Sequence, residues 1–287
     1  MSMKKNLSSW SFLAALLVFL ILFDCGLAFF GEQVWPYAYN DYEVTRRDHP
    51  EAVWERVFFG NSAVISAYRE EQSEADYVNL GMDYAVVTDL WDLLRKGHLK
   101  VGSELVIGLN LFTLYDDFDT NPAYLWHRGT LEPYAYFHRD KLMQIARDVQ
   151  KLCRGGSVYK GGKYLYYGSL PQAELQERLD KYEQSYFCLP IADFQENLRA
   201  LDSIADWCAE NGVRLRLLWM PFHPGVERPA LLQELRQTVN AWCRDRQIIL
   251  NDMTDALSEA CFHDVGHLND ETGANEFTEV VDPWLLS

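Results

Sequence analysis

Basic residues are scarce in this chain: 26 Lys and Arg stand against 42 Asp and Glu, a formal net charge of -16. A surface of that sign repels phosphate backbones, so nucleic acid is excluded as a partner class. It also repels anionic polymers at long range, which favours neutral over charged polymeric ligands. Paired cysteines are missing too. Five cysteines follow Cys25, and no two sit at CxxC spacing, so neither a zinc site nor a disulfide framework is indicated. Only Cys153 with Cys188 would bracket a region as a bridge. Cys208 and Cys243, each after a Trp in an amphipathic stretch, read as buried free thiols. The doublets Gly155-Gly156 and Gly161-Gly162 lie between no strand and helix, so they read as turns of a hairpin and not as phosphate loops.

What the chain does have begins at its N-terminus. Residues Trp10 to Phe23 are uninterrupted apolar or small, they follow Lys4 and Lys5, and Leu27 to Phe30 resume the run after Asp24-Cys25-Gly26. That is an export signal. Residues 1–30 are either a membrane anchor of the roughly twenty residues that a bilayer needs, the reading favoured here, or a signal peptide cut after Ala28. In both cases the lysines stay inside and residues 31–287 form one extracytoplasmic domain. With 48% hydrophobic residues, that domain is long enough for a single α/β core with an insertion.

Strands are expected at Val53–Phe59, 77–81 and 105–110, with helices at Ser62–Arg69 and 84–96 between them. Three strands alternating with helices in about sixty residues indicate a parallel sheet. The alternation resumes with a helix at Ala192–Glu210 stopped by Asn211-Gly212, a strand at Val213–Met220, a helix at Pro229–Arg246, a strand at 248–250 and a last helix from about Thr272. The fold class is therefore α/β: a three-layer α/β/α arrangement around a central parallel sheet of about five strands. After the third strand, residues 111–191 form an insertion rich in aromatics, among them Tyr115, Tyr134, Tyr159, Tyr166 and Tyr186. A long insertion after a strand end usually caps the site there, and aromatic faces suit sugar rings, although most of these rings are expected to pack the insertion's own small core.

Two short segments carry the chemistry. Gly60-Asn61-Ser62 turns from a strand into a helix, which exposes the Ser62 hydroxyl at the carboxyl end of the sheet, where open α/β sheets bind ligands. Asp264-Val265-Gly266-His267 lies between a strand and the last helix, a spacing that lets the carboxylate reach one imidazole nitrogen while the other points into a cleft. His263 is the rival base, with its side chain expected to point away. A metal reading of His263, Asp264 and His267 fails for want of a helix, with Gly266 in the middle. The bland alternatives are a plain helix cap at Asn61 or Ser62 and a chance Asp-x-x-His.

The order Gly-Asn-Ser, Asn-Leu-Gly, Gly-Leu-Asn and Asp-Val-Gly-His-Leu-Asn resembles the four blocks of the SGNH (GDSL-like) hydrolase superfamily. The stretch from Phe262 to Asn269, followed by Thr272-Gly273-Ala274 and Phe277, looks like its exported members, such as polysaccharide O-acetyltransferases and the D-alanyl transfer protein of teichoic acid synthesis. The resemblance implies Ser62 as nucleophile, His267 and Asp264 as base and orienting carboxylate, and Gly81 and Asn110 as oxyanion donors, with no cofactor or metal. It implies acyl transfer to, or hydrolysis from, an envelope polysaccharide or oligosaccharide, beside a membrane-bound O-acyltransferase as partner. Two departures stand out: Asn61 replaces the acidic residue usual before the serine, and Leu111 follows Asn110 where many members have Asp. A structural role for Asn110, capping the strand end, is the alternative. The rival from another class is a catalytically silent partner protein, which predicts that Ser62 and His267 stay out of hydrogen-bond reach or that the insertion fills the cleft. A lipid esterase would instead need a wide apolar channel beside Ser62.

Overall fold

The computed structural model describes residues 2–34, 40–118, 120, 124–127, 146–147, 149–155 and 163–287. The expected hairpin around 156–162 and the aromatic residues Tyr134 and Tyr159 lie outside them. The chain divides into two compact units, residues 1–40 with 122–161 and residues 41–121 with 162–287. The first contains helix α1, Ser2–Val34, whose 18-residue stretch Ser9–Gly26 is long and apolar enough to cross a membrane and has side chains that are not buried. No polar face interrupts it, so burial against one side of a protein core is not its natural environment. A signal sequence passes the same test of length and composition, so an anchor and a signal peptide both fit this helix.

The second unit is an α/β sandwich. Its strands are β1 (Trp54–Gly60), β2 (Val78–Gly81), β3 (Val101–Leu109), β4 (Arg214–Trp219) and β5 (Ile249–Asp252). All are parallel, in the order β2-β1-β3-β4-β5. The flanking helices are α2 (Asp41–Asp48), α3 (Ser62–Ala67), α4 (Val87–Arg95), α5 (Leu111–Leu114), α6 (Gln172–Tyr182), α7 (Gln195–Asn211), α8 (Ala230–Arg246) and α9 (Gly273–Leu285). Strands β1 and β3 are buried on both faces through Val57, Phe58, Phe59, Leu105, Val106 and Ile107, as a sheet covered by helices on each side requires. The third strand starts at Val101, four residues before the apolar run, because its first residues continue the parallel pairing with β1, Val101 opposite Trp54. Helix α4 starts later than expected: Tyr84 adopts a left-handed backbone (φ 58°) in a turn closed by Ala85 N–H on Met82 O, and helix begins only beyond it.

Two packing details position the site. Gly60 and Gly108 sit side by side on β1 and β3, and a Cβ on either would lie 2.3 Å and 2.5 Å from the Val64 Cγ2 methyl. Their missing side chains let α3 lie flat on the sheet directly behind Ser62. Further along, Arg216 is fully buried in β4 and paired with Glu104 of β3. Its guanidinium donates to the carbonyls of Trp284 (2.6 Å) and Leu285 (2.8 Å) and to the Tyr77 hydroxyl (2.8 Å), and lies 4.3 Å from the Trp284 ring.

All six thiols are free, and Cys153 and Cys188 are exposed. Cys208 on α7 and Cys243 on α8 are buried, and burial pushes each thiol up to about 12. The insertion's rings do form a cluster. Phe112 contacts Phe118, Tyr182 and Tyr186 at 5.4, 5.2 and 5.0 Å between centroids.

Candidate active site

Strand β1 ends at Gly60, and Asn61 caps α3 by accepting the Ala63 N–H on Oδ1 at 3.0 Å. Strand β3 ends alongside it, where Asn110 caps α5 by accepting the Thr113 N–H at 2.9 Å. Because the two strands are parallel neighbours, these caps face each other. Their amides pair reciprocally, Asn61 Nδ2 to Asn110 Oδ1 and Asn110 Nδ2 to Asn61 Oδ1, both at 3.0 Å. The pairing accounts for Asn at position 61 in this chain: an Asp would keep the cap but have no N–H to give Asn110.

Ser62, the first residue of α3, is half-buried, and its Oγ lies 2.8 Å from His267 Nε2. His267 Nδ1 lies 2.9 Å from both oxygens of Asp264, so the proton on Nδ1 is held by the carboxylate and Nε2 is left to accept from the serine. The three residues that the two segments supply therefore converge, across 205 positions of sequence, at the carboxyl end of the sheet. Asp264 is buried and accepts the N–H groups of Gly266 (3.0 Å) and His267 (2.9 Å). Burial pushes its carboxyl up, but the neighbouring imidazole and these hydrogen bonds outweigh that and hold it well below the usual carboxylate range. The loop is pinned from two sides, by Leu268 N–H on Ser66 Oγ of α3 and by His223 N–H on Val265 O after β4.

His263 turns from the triad, donating from Nδ1 to the Gly168 carbonyl at 2.8 Å. Gly81 requires a correction. Its N–H donates to Asn79 Oδ1 at 2.8 Å, and the residue is fully enclosed, so this amide has no lone proton to aim at a reacting oxygen. Asn79 also donates to Tyr68 O and belongs to the scaffold. Asn110 lines the cavity and uses one of its two amide protons on Asn61. Among the described residues, the other proton and the Ser62 N–H have no acceptor.

Ser62, His267 and Asn110 open onto a cavity of about 730 Å³, walled by aromatics including Phe112, Phe118 and Tyr186. Helix α6 forms another wall and sends charged side chains to it, Glu174, Glu177, Arg178 and Lys181. Two neighbours of the triad were not singled out from sequence. Arg178 donates to Asp264 Oδ2, and Tyr166 stacks on His267 at 4.2 Å. The aromatic bias of the insertion hinted at the second; no local signal distinguishes Arg178 from other surface arginines. Asp83 also faces the cavity, its carboxyl pushed up by burial and by the nearby Asp41. Among the described residues, no three His, Cys, Asp or Glu side chains gather as metal ligands.

No family model matches this chain, and no curated protein matches it.

Proposed function

We propose that this protein is an exported, membrane-anchored serine-dependent O-acyl enzyme of the SGNH kind, which forms an acyl-Ser62 intermediate and passes the acyl group, acetyl in the simplest case, to or from a neutral envelope polysaccharide. The observation that carries this reading is the hydrogen-bonded line from Ser62 through His267 to Asp264 at the mouth of an open cavity. Ser62 Oγ bonds to the acyl carbonyl carbon as its proton passes to His267 Nε2; the leaving oxygen then departs with that proton. A sugar hydroxyl or water repeats the sequence in reverse and frees Ser62. The free proton of Asn110 and the Ser62 N–H are the donors available to the oxyanion. Gly81 is not.

The silent-partner reading expects Ser62 and His267 apart, or a filled cleft. Their 2.8 Å separation and the cavity weigh against it. The charged face of α6 on the cavity weighs against a wholly apolar lipid channel. Following the resemblance, α1 anchors the domain on the outer face of the membrane, beside a membrane-bound O-acyltransferase that supplies acyl groups.

The test is labelling of the detergent-solubilised full-length protein with a fluorophosphonate. Wild type should label and Ser62→Ala should not; a folded wild type that stays unlabelled ends the proposal. On an activated acetyl ester, Asn110→Ala should retain labelling but lower kcat by about 10²- to 10³-fold, the typical loss for one oxyanion donor. A change below about threefold would return Asn110 to a purely capping role.

A further inference from the structure

We propose that Tyr166 is a positioning residue for His267, holding the plane of its ring and supporting the positive charge the ring acquires when Ser62 attacks. The proposal rests on the acyl-Ser62 reading. Tyr166 lies within the aromatic-rich insertion, and its ring is nearly parallel to that of His267, 20° between planes with centroids 4.2 Å apart. His263 packs against it at 5.1 Å and Tyr164 meets it edge-on at 4.9 Å, so the ring is itself braced.

The backbone around Tyr166 is stitched to the loop that bears Asp264 and His267. Tyr166 O accepts the Asp270 N–H at 2.7 Å, and Gly168 N–H donates to the Glu271 carboxylate at 2.9 Å. Ser169 Oγ–H donates to Phe262 O at 2.7 Å, and Leu170 N–H to His263 O at 2.9 Å. Four attachments on both flanks of the loop fix the distance between the two rings. Asp264 holds Nδ1 and Ser62 meets Nε2, which together still leave the ring free to turn about the line between its two nitrogens; a face contact restrains that turn.

The contact also has a charge consequence. When the Ser62 proton reaches Nε2, His267 becomes an imidazolium, and the negative face of an aromatic ring attracts a cation more than a neutral ring. The attraction therefore grows towards the transition state, where it speeds the reaction, and is weak in the resting enzyme. The other charges nearby are Asp264, Asp83 and the Arg178 guanidinium on the far oxygen of Asp264. Burial, with Asp264 and Asp83, keeps the Tyr166 phenol well above its usual range, so the ring stays neutral. With one face on His267, Tyr166 is not a free platform for a sugar, the role that aromatic residues of the insertion suggest from sequence.

The test compares wild type, Tyr166→Phe and Tyr166→Leu in the full-length protein, measuring fluorophosphonate inactivation over a range of probe concentrations, with thermal melts as the check on folding. Wild type must label; if it does not, the acyl-enzyme reading and this proposal fall together. Given labelling, Tyr166→Leu should lower the maximal inactivation rate about tenfold with half-saturation unchanged, within what a desolvated cation–π contact supplies. Tyr166→Phe keeps the face and loses only the phenol's interaction with the Ser62 side chain, so it should stay within about fivefold of wild type. Equal rates for wild type and the Leu variant would overturn the positioning role alone. If the Leu variant loses its cooperative melt, the Phe variant decides: a loss beyond about fivefold in a folded Phe protein would overturn the role of the ring face.

Discussion

Replacing His267 with Ala is expected to lower acyl turnover by about 10⁶-fold, and Asp264→Asn by about 10⁴-fold, while the double variant Ser62→Ala/His267→Ala falls no further than either single change. The reason is the order of the hydrogen bonds. Without Nε2 at 2.8 Å, nothing accepts the serine proton, and a hydroxyl at neutral pH is too weak to attack. An amide at 264 leaves the imidazole in place but offers an N–H where Nδ1–H needs an acceptor, which favours the wrong tautomer. Steady-state rates on an activated ester measure all three variants. Additive losses, or a His267→Ala enzyme within tenfold of wild type, would mean the three residues do not work as one unit.

The second large effect concerns stability. Arg216→Met should destabilise the folded domain by about 3–5 kcal/mol, the cost of stranding one half of a buried ion pair. Glu104 would keep a buried carboxylate with only the half-exposed Arg214, 3.7 Å away, beside it, and the carbonyls of Trp284 and Leu285 would lose their donor. In a domain of this size that corresponds to a melting temperature lower by about 6–20 °C. Pairing the change with Glu104→Gln should recover part of the loss, because the stranded charge disappears. A single variant that melts within about 2 °C of wild type would show that the pair is solvated in the native protein.

How far the sequence could be read follows from the range of the interactions. The five parallel strands were legible because each is a short, locally apolar stretch stopped by Gly, Asn or Pro, most continuous in the central β3. Ser62 and the Asp264-His267 turn were legible because each carries its own backbone signature, a capped turn and an Asx turn. Gly81 was misassigned because its N–H is taken by the side chain of Asn79, two residues back and on the same face of the strand, a local closure that the residue types alone do not mark. Tyr166 was legible only as one of the insertion's many aromatics, and Arg178 not at all. Their partners lie about 100 and 86 positions away, and neither ring stacking nor a long-range ion pair leaves a pattern in neighbouring residues.

The buried Arg216 also sets an order of events for a chain that emerges from its N-terminus. Strand β4 cannot be sealed into the sheet until residues 284 and 285 arrive to take up the guanidinium, and Ser62 cannot meet its base until residue 267 has passed. Both closures wait for the last helix. On the proposed export route, the emerging polypeptide therefore holds a serine without its base and a half-open sheet until residues 267–285 have docked.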